Sequence, residues 1–294
     1  MPGLWELTGL ERGILGCLYV IAGIFGTTGN LLTLVTWGRG LQELGCRAWL
    51  HMNFALSNIL IVVVFFFPAS SAFAGRWLYG EVACQSYGFE GMIAGMGQIG
   101  ALTALAWGQA NVDADADSRK RSILFGWLFA SVWAIGPLIG WSSYGIEAGG
   151  VSCTFNWQVV NVSYVTYAVM IWAFGFVIPY FLSINWVKST ACIPKQKLDP
   201  KDWSNYPEIN TVIGWCIFVS IIAWIPYGLA AAWPLFASIE TVPKIVGVYA
   251  PVSAKLGTCF YPWIHIWHSA RFRQTVSSLL FGTTSSASTA EKEN

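Results

Sequence analysis

The chain has 294 residues and a formal net charge of +1, with 55% hydrophobic and only 11% charged residues; its mean hydropathy is +0.54. Soluble domains carry about 25% charged residues, so too few charges are present for a water-facing surface and most of it must face lipid. The near-neutral balance gives no case for a nucleic-acid partner. The N-terminus carries Glu6 and Glu11 and lacks a basic stretch, so no cleavable signal peptide is expected and the first apolar segment stays as an anchor.

A membrane-spanning helix needs about 20 mainly apolar residues. Seven segments answer that description: 13–37, 49–74, 83–112, 122–141, 163–187, 209–236 and 245–267. The expected fold is therefore an all-α membrane protein, a seven-helix bundle over residues 13–267 preceded by an N-terminal stretch of residues 1–12. The third segment is the least apolar, with Gly91, Gly95, Gly97, Gln98 and Gly100; such small residues predict a central helix packed closely on its neighbours. After the seventh, Phe272, Val276, Leu279 and Leu280 recur at helical spacing, which predicts a short amphipathic eighth helix on the membrane surface. Residues 268–294 thus divide into this helix and a Ser-, Thr- and Ala-rich tail expected to be disordered.

Orientation follows from basic residues, which concentrate on the cytoplasmic side. With the N-terminus outside or lumenal, the inner connections hold Arg39, Arg47, Arg119, Lys120, Arg121, Lys188, Lys195, Lys197, Lys201, Arg271, Arg273 and Lys292, and the outer ones hold Arg12, Arg76 and Lys244. That imbalance puts the C-terminus in the cytoplasm. Asn161-Val-Ser163 is a glycosylation sequon on the predicted outer side, although triplets of this kind are common by chance. The acidic run at Asp113, Asp115 and Asp117 reads as a solvated loop. His51, His265 and His268 fall near the inner face in packing or interface positions, and no metal-binding cluster is expected. The seven cysteines leave room for one bridge on the outer face, with Cys84 and Cys153 at helix ends or in loops.

Those assignments leave one basic residue, Lys255, inside an apolar segment. An ammonium there costs about 2.5–3.5 kcal/mol on insertion scales. Three readings remain open from the residues alone. The lysine snorkels to the interface, pairs with a buried acid for packing, or serves as a nucleophilic amine toward an aldehyde. A charged linkage to such an aldehyde would need a nearby anion. Glu90 lies inside the third segment, and Glu147 lies in the outer connection before Cys153.

The residues around Lys255 resemble animal opsins, the retinal-binding branch of the rhodopsin-like receptors. The resemblance covers nearly the whole chain. Asn30, Trp127 and Pro179 match the marker residues of the first, fourth and fifth helices, and Trp224-Ile-Pro-Tyr227 matches the sixth-helix motif. Lys255 follows Trp224 by 31 residues and precedes Pro262 by seven, as the family's retinal lysine does. The resemblance implies covalent retinal on Lys255 as a Schiff base and a Cys84–Cys153 disulfide. It implies a pocket lined by Gly95, Trp172, Phe176, Trp224 and Tyr227. The vertebrate counterion position is Tyr87 here, whereas Glu147, six residues before Cys153, matches the acid of invertebrate-type opsins and retinochromes. Glu147 is the preferred counterion and Glu90 the alternative.

The sequence departs from signalling opsins where those couple to G proteins. The Asp/Glu-Arg-Tyr triplet aligns with Gly108-Gln109-Ala110, and the seventh-helix Asn-Pro-x-x-Tyr reads Tyr261-Pro262-Trp-Ile-His265. Val187 replaces the fifth-helix tyrosine, and Asn58 the second-helix aspartate. An intact chromophore site with altered switches resembles the retinochrome and retinal-photoisomerase branch, as do the strings Gly75-Arg-Trp-Leu-Tyr-Gly80 and Ser143-Tyr-Gly-Ile-Glu147. The implied activity is light-driven conversion of all-trans to 11-cis retinal. Retinal and the lipid bilayer are the implied partners, with a retinal-carrier protein as a further candidate and G-protein coupling in doubt. A light-sensing receptor with altered coupling motifs and a non-isomerising retinal-binding protein are the rival readings. A transporter finds no support in any inverted repeat, nor a soluble-type enzyme in any catalytic motif.

Overall fold

The computed structural model describes residues 5–193 and 207–282. The Ser-, Thr- and Ala-rich tail, Lys195, Lys197, Lys201 and Lys292 lie outside the described residues. Seven long helical segments form the bundle: α1 (Gly9–Arg39), α2 (Cys46–Ala74), α3 (Gly80–Ala110), α4 (Ala116–Ile139), α5 (Val162–Cys192), α6 (Pro207–Leu235) and α7 (residues 244–268). The expected eighth helix follows as α8 (Ala270–Phe281).

Side chains set several of the helix starts. Thr8 and Glu11 form a reciprocal capping box at α1. The Asp115 carboxylate accepts from the Ser118 backbone N–H at 2.8 Å at α4. The Ser118 hydroxyl and backbone N–H hold that carboxyl below the usual carboxylate range. Asn161 Oδ1 accepts from Tyr164 N at 2.8 Å at α5, so the sequon asparagine has a capping role in the fold.

Five of the seven segments are long and apolar enough to span a membrane by length and hydropathy alone; α3 and α7 are not among them. The reason differs for each. Much of α3 is buried among its neighbours, so its polar and small residues need not meet lipid. A Cβ added to Gly100 would stand 3.0 Å from the Gly126 backbone of α4, the close approach expected of this glycine-rich helix. In α7 the helix runs Lys244–Gly257, opens in a turn and resumes as Tyr261–His268. Pro262 has no N–H to donate back to the Thr258 carbonyl. The buried Asn30 side chain of α1 supplies that donor instead, with Nδ2 3.0 Å from Thr258 O. Proline also shapes α2, which breaks between Val63 and Phe66. Pro68 cannot bond the Val64 carbonyl, and Phe67 N takes it at 3.1 Å. Before Pro179, α5 widens into a π turn over Ile171–Val177.

The all-α bundle carries one short β element. Between α4 and α5 the chain forms an antiparallel hairpin, β1 (Tyr144–Ile146) against β2 (Cys153–Phe155). Three-residue strands give too little alternation to stand out in a chain this apolar. Cys84 lies in the first turns of α3, at a helix end as expected, and Cys153 in β2 rather than in a loop.

Candidate functional site

The hairpin is tied down from several directions. A disulfide joins Cys84 of α3 to Cys153 of β2 with Cα atoms 5.4 Å apart. Gln85 Nε2 donates to Tyr144 O at 3.2 Å, the Tyr144 hydroxyl donates to Ala134 O at 2.7 Å, and Trp5 N reaches Ala148 O at 3.0 Å. The strands are therefore anchored to α3, to α4 and to the N-terminal segment. A tight turn follows β1, closed by Gly150 N to Glu147 O at 2.8 Å, with Gly150 at φ +76. A left-handed residue there suits glycine, which has no Cβ to clash.

This turn carries Glu147 into the bundle. Its Oε1 stands 4.0 Å from Lys255 Nζ, with the two side chains 6% and 16% exposed. The Ser152 hydroxyl donates to Glu147 Oε2. Among the described residues Lys255 Nζ has no hydrogen-bond partner, and it lies over the Tyr19 and Tyr87 rings at 5.7 and 5.2 Å from their centroids. Ring faces are electronegative and attract a cation at such range. Glu90, from the same helix as Tyr87, lines the same space.

The walls of that space include Tyr87, Glu90, Gly95, Glu147, Trp224 and Lys255. A neighbouring space lies between α3, α5 and α6, walled by Met96, Ile171, Trp172, Phe176 and Gly228. Trp224 and Tyr227 border both. Gly95 permits this arrangement, since a Cβ on it would stand 2.8 Å from Trp224 Cη2. Trp224 is steadied by a relay of amides: its Nε1 donates to Gln98 Oε1 at 3.2 Å, and Gln98 Nε2 donates to Asn58 Oδ1 at 2.6 Å. Thr154 of β2 and the Tyr227 hydroxyl share a hydrogen bond at 2.5 Å. A primary amine beside one carboxylate, at the polar end of an otherwise apolar cavity, can condense with an aldehyde and hold the resulting cation.

The sequence reading missed Tyr19, Ser152 and Thr154. Ser152 and Thr154 flank Cys153, and only the hairpin aims one at Glu147 and the other at Tyr227. Tyr19 looks like any aromatic on an apolar helix.

The opposite end of the bundle is cross-tied differently. Arg119 of α4 is 1% exposed. Its guanidinium donates to the carbonyls of Gly108 at 3.3 Å, Asn111 at 3.2 Å and Ala114 at 3.2 Å. It thereby caps the last carbonyls of α3, where Gly108, Gln109 and Ala110 end the helix. A Cβ on Gly108 would stand 2.9 Å from Arg119 Nη1, so the glycine makes room for the guanidinium. The buried His265 ring bonds back to the Tyr261 carbonyl at 2.8 Å and packs at 5.1 Å from the Phe272 ring of α8. Pro262 rests on α1 beside Gly29. Glu208, at the start of α6, accepts from the Ser269 hydroxyl at 2.9 Å and from Ala270 N at 3.2 Å.

Comparison with known proteins places this geometry. Residues 29–265 match the family model of the 7 transmembrane receptor (rhodopsin family). The chain belongs to the rhodopsin family of seven-transmembrane receptors. It is an integral, multi-pass membrane protein of that fold. It is 32% identical to the retinochrome of Todarodes pacificus, over 92% of this chain and 95% of that one. It is 26% identical to the human visual pigment-like receptor peropsin, over 92% and 85%. Squid rhodopsin superposes with a TM-score of 0.84 at 22% identity, covering 93% of this chain and 86% of that one, a likeness of fold.

Proposed function

We propose that this protein is a retinal-binding opsin that works as a light-driven isomerase, taking all-trans retinal on Lys255 and yielding the 11-cis form. The observation that carries the reading is the buried Lys255 amine, without a hydrogen-bond partner and 4.0 Å from the Glu147 carboxylate. The residues present fit the group: the orphaned amine marks the attachment point, and the Gly95 gap seats the Trp224 edge between two apolar spaces. The likeness to retinochrome supports the same reading.

Retinal held on Lys255 would supply the light absorption and the double bond that turns. The residues do the rest. Lys255 fixes one end. Glu147, oriented by Ser152, faces the cationic linkage, with the Tyr19 and Tyr87 rings beside it. Trp224 and Tyr227 form the constriction between the two spaces and so limit which bond has room to turn. The disulfide-anchored hairpin keeps bulk water from the linkage. At the far end, Arg119 caps the end of α3 beside Gly108, and His265 bonds back to its own helix. By the charge imbalance of the loops, the hairpin end faces the outside or a lumen and α8 the cytoplasm.

The test is to regenerate the purified protein with all-trans retinal, illuminate it and extract the isomers. Accumulation of 11-cis retinal is expected, and its absence sinks the reading. The Trp224–Gln98–Asn58 relay and the likeness to the visual pigment-like receptor peropsin favour a second reading, a receptor with an altered coupling face. Light-dependent nucleotide exchange on a G protein would establish it.

A further inference from the structure

The cavity around Lys255 holds more unpartnered polar atoms than an ion pair needs. Both Glu90 carboxyl oxygens, the Tyr87 hydroxyl and Lys255 Nζ are buried without a hydrogen-bond partner, and all three residues line the same space. Tyr87 and Glu90 are three residues apart on α3, hence neighbours on one helix face. The Tyr87 ring centroid lies 5.2 Å from Lys255 Nζ. A buried polar group left unpaired is costly, and a charged one more so. Four such atoms lining one space therefore mark a place built for a polar guest. Glu147 is not among them, because Ser152 holds it. A bound water takes about 2–4 polar partners, which is what this space offers.

We propose that Tyr87 and Glu90 form a hydrolytic station: they hold a water against the Lys255 linkage, and Glu90 is the general base that opens and closes it. This rests on the retinal reading above and adds how substrate is loaded and product released. In the opening step the water oxygen bonds to the linkage carbon and becomes the aldehyde oxygen. The carbon–nitrogen bond breaks, and both water protons end on nitrogen, so a protonated linkage leaves Lys255 as an ammonium. Glu90 takes each proton from oxygen, passes it to nitrogen and finishes as it began. Loading is the reverse. Glu147 balances the charge, and Glu90 moves the protons.

The test compares wild type with Glu90→Gln in two measurements: the rate at which retinal-free protein forms its pigment with added retinal, and the rate at which the illuminated pigment releases free aldehyde. General-base catalysis contributes about 10²–10⁴-fold, so both rates should fall by about 100-fold or more, in parallel. Glu90→Asp, which keeps a carboxyl, should recover part of each, and Tyr87→Phe should slow both by a smaller factor. Quenching of tryptophan fluorescence by retinol, which lacks the aldehyde, reports whether each variant still forms the cavity. If Glu90→Gln does not, the Asp and Phe variants decide. Wild-type rates in Glu90→Gln, or a slowing confined to Glu147→Gln, overturn the proposal and leave the retinal reading standing. Failure of wild type to form any pigment takes down both.

Discussion

Lys255 Nζ and Glu147 Oε1 stand 4.0 Å apart, one from a membrane helix and the other from the turn of a hairpin fastened over it. Removing one partner of a buried pair leaves the other charge uncompensated. Glu147→Gln should therefore lower the titration midpoint of the retinal linkage. The sign follows from charge: without the anion the protonated form is disfavoured, so the visible band is lost at a lower pH. Lys255→Ala should form no visible pigment at all. A spectrophotometric titration checks both, and an unchanged pigment in the lysine variant would overturn the site.

The Cys84–Cys153 bridge holds the strand that follows Glu147. Loss of a native disulfide typically costs about 2–5 kcal/mol in small domains. Cys84→Ser should lower the thermal midpoint in detergent and cut pigment yield together, because the same strand positions the carboxylate. A lower midpoint with full pigment yield would separate the hairpin from the site.

Glu208 bonds the first turn of α8 from the start of α6, and a carboxylate at a helix N-terminus is favourable. Caps contribute about 0.5–2 kcal/mol. Glu208→Ala should raise amide hydrogen exchange in the first turn of α8 by about 2- to 30-fold. Unchanged exchange would mean that α8 is held by its other contacts, among them buried Phe272 and Val276, the Ser269 cap and the Arg271–Glu43 pair.

Arg119 serves three carbonyls around the end of α3. Hydrogen bonds to charged groups contribute about 1.5–3 kcal/mol each, less when water can replace them. Arg119→Ala should destabilise the protein by at least one such bond, read as a drop in thermal midpoint. Arg119→Lys should recover little of it, since an ammonium lacks the planar fork that reaches several acceptors.

Gly95 faces the edge of Trp224, where a Cβ would come to 2.8 Å. Gly95→Ala should push the indole into the cavity, at a cost of about 1–3 kcal/mol from overpacking. The expected readouts are weaker retinal uptake and a shifted absorption maximum. An unaltered spectrum would show that Trp224 can yield without entering the cavity.

The sequence by itself determined the solvent of this protein, because 11% charged residues cannot clothe a surface in water. It also determined the helical segments, whose lengths follow from the thickness of a bilayer, and singled out Lys255 as a charge in the wrong medium. Tertiary structure alone decided what meets that charge. Glu90 and Glu147 were both candidates, and only the hairpin brings Glu147 to the amine, leaving Glu90 in the same space without a hydrogen-bond partner among the described residues. The same holds for Asn30 answering the carbonyl that Pro262 frees, and for Arg119 and Glu208 tying helix ends. Hydropathy and periodicity report how each residue meets its own helix and its solvent. Hydrogen bonds and ion pairs between residues far apart in the chain depend on how the helices are set against one another, and that arrangement exists only in the folded molecule.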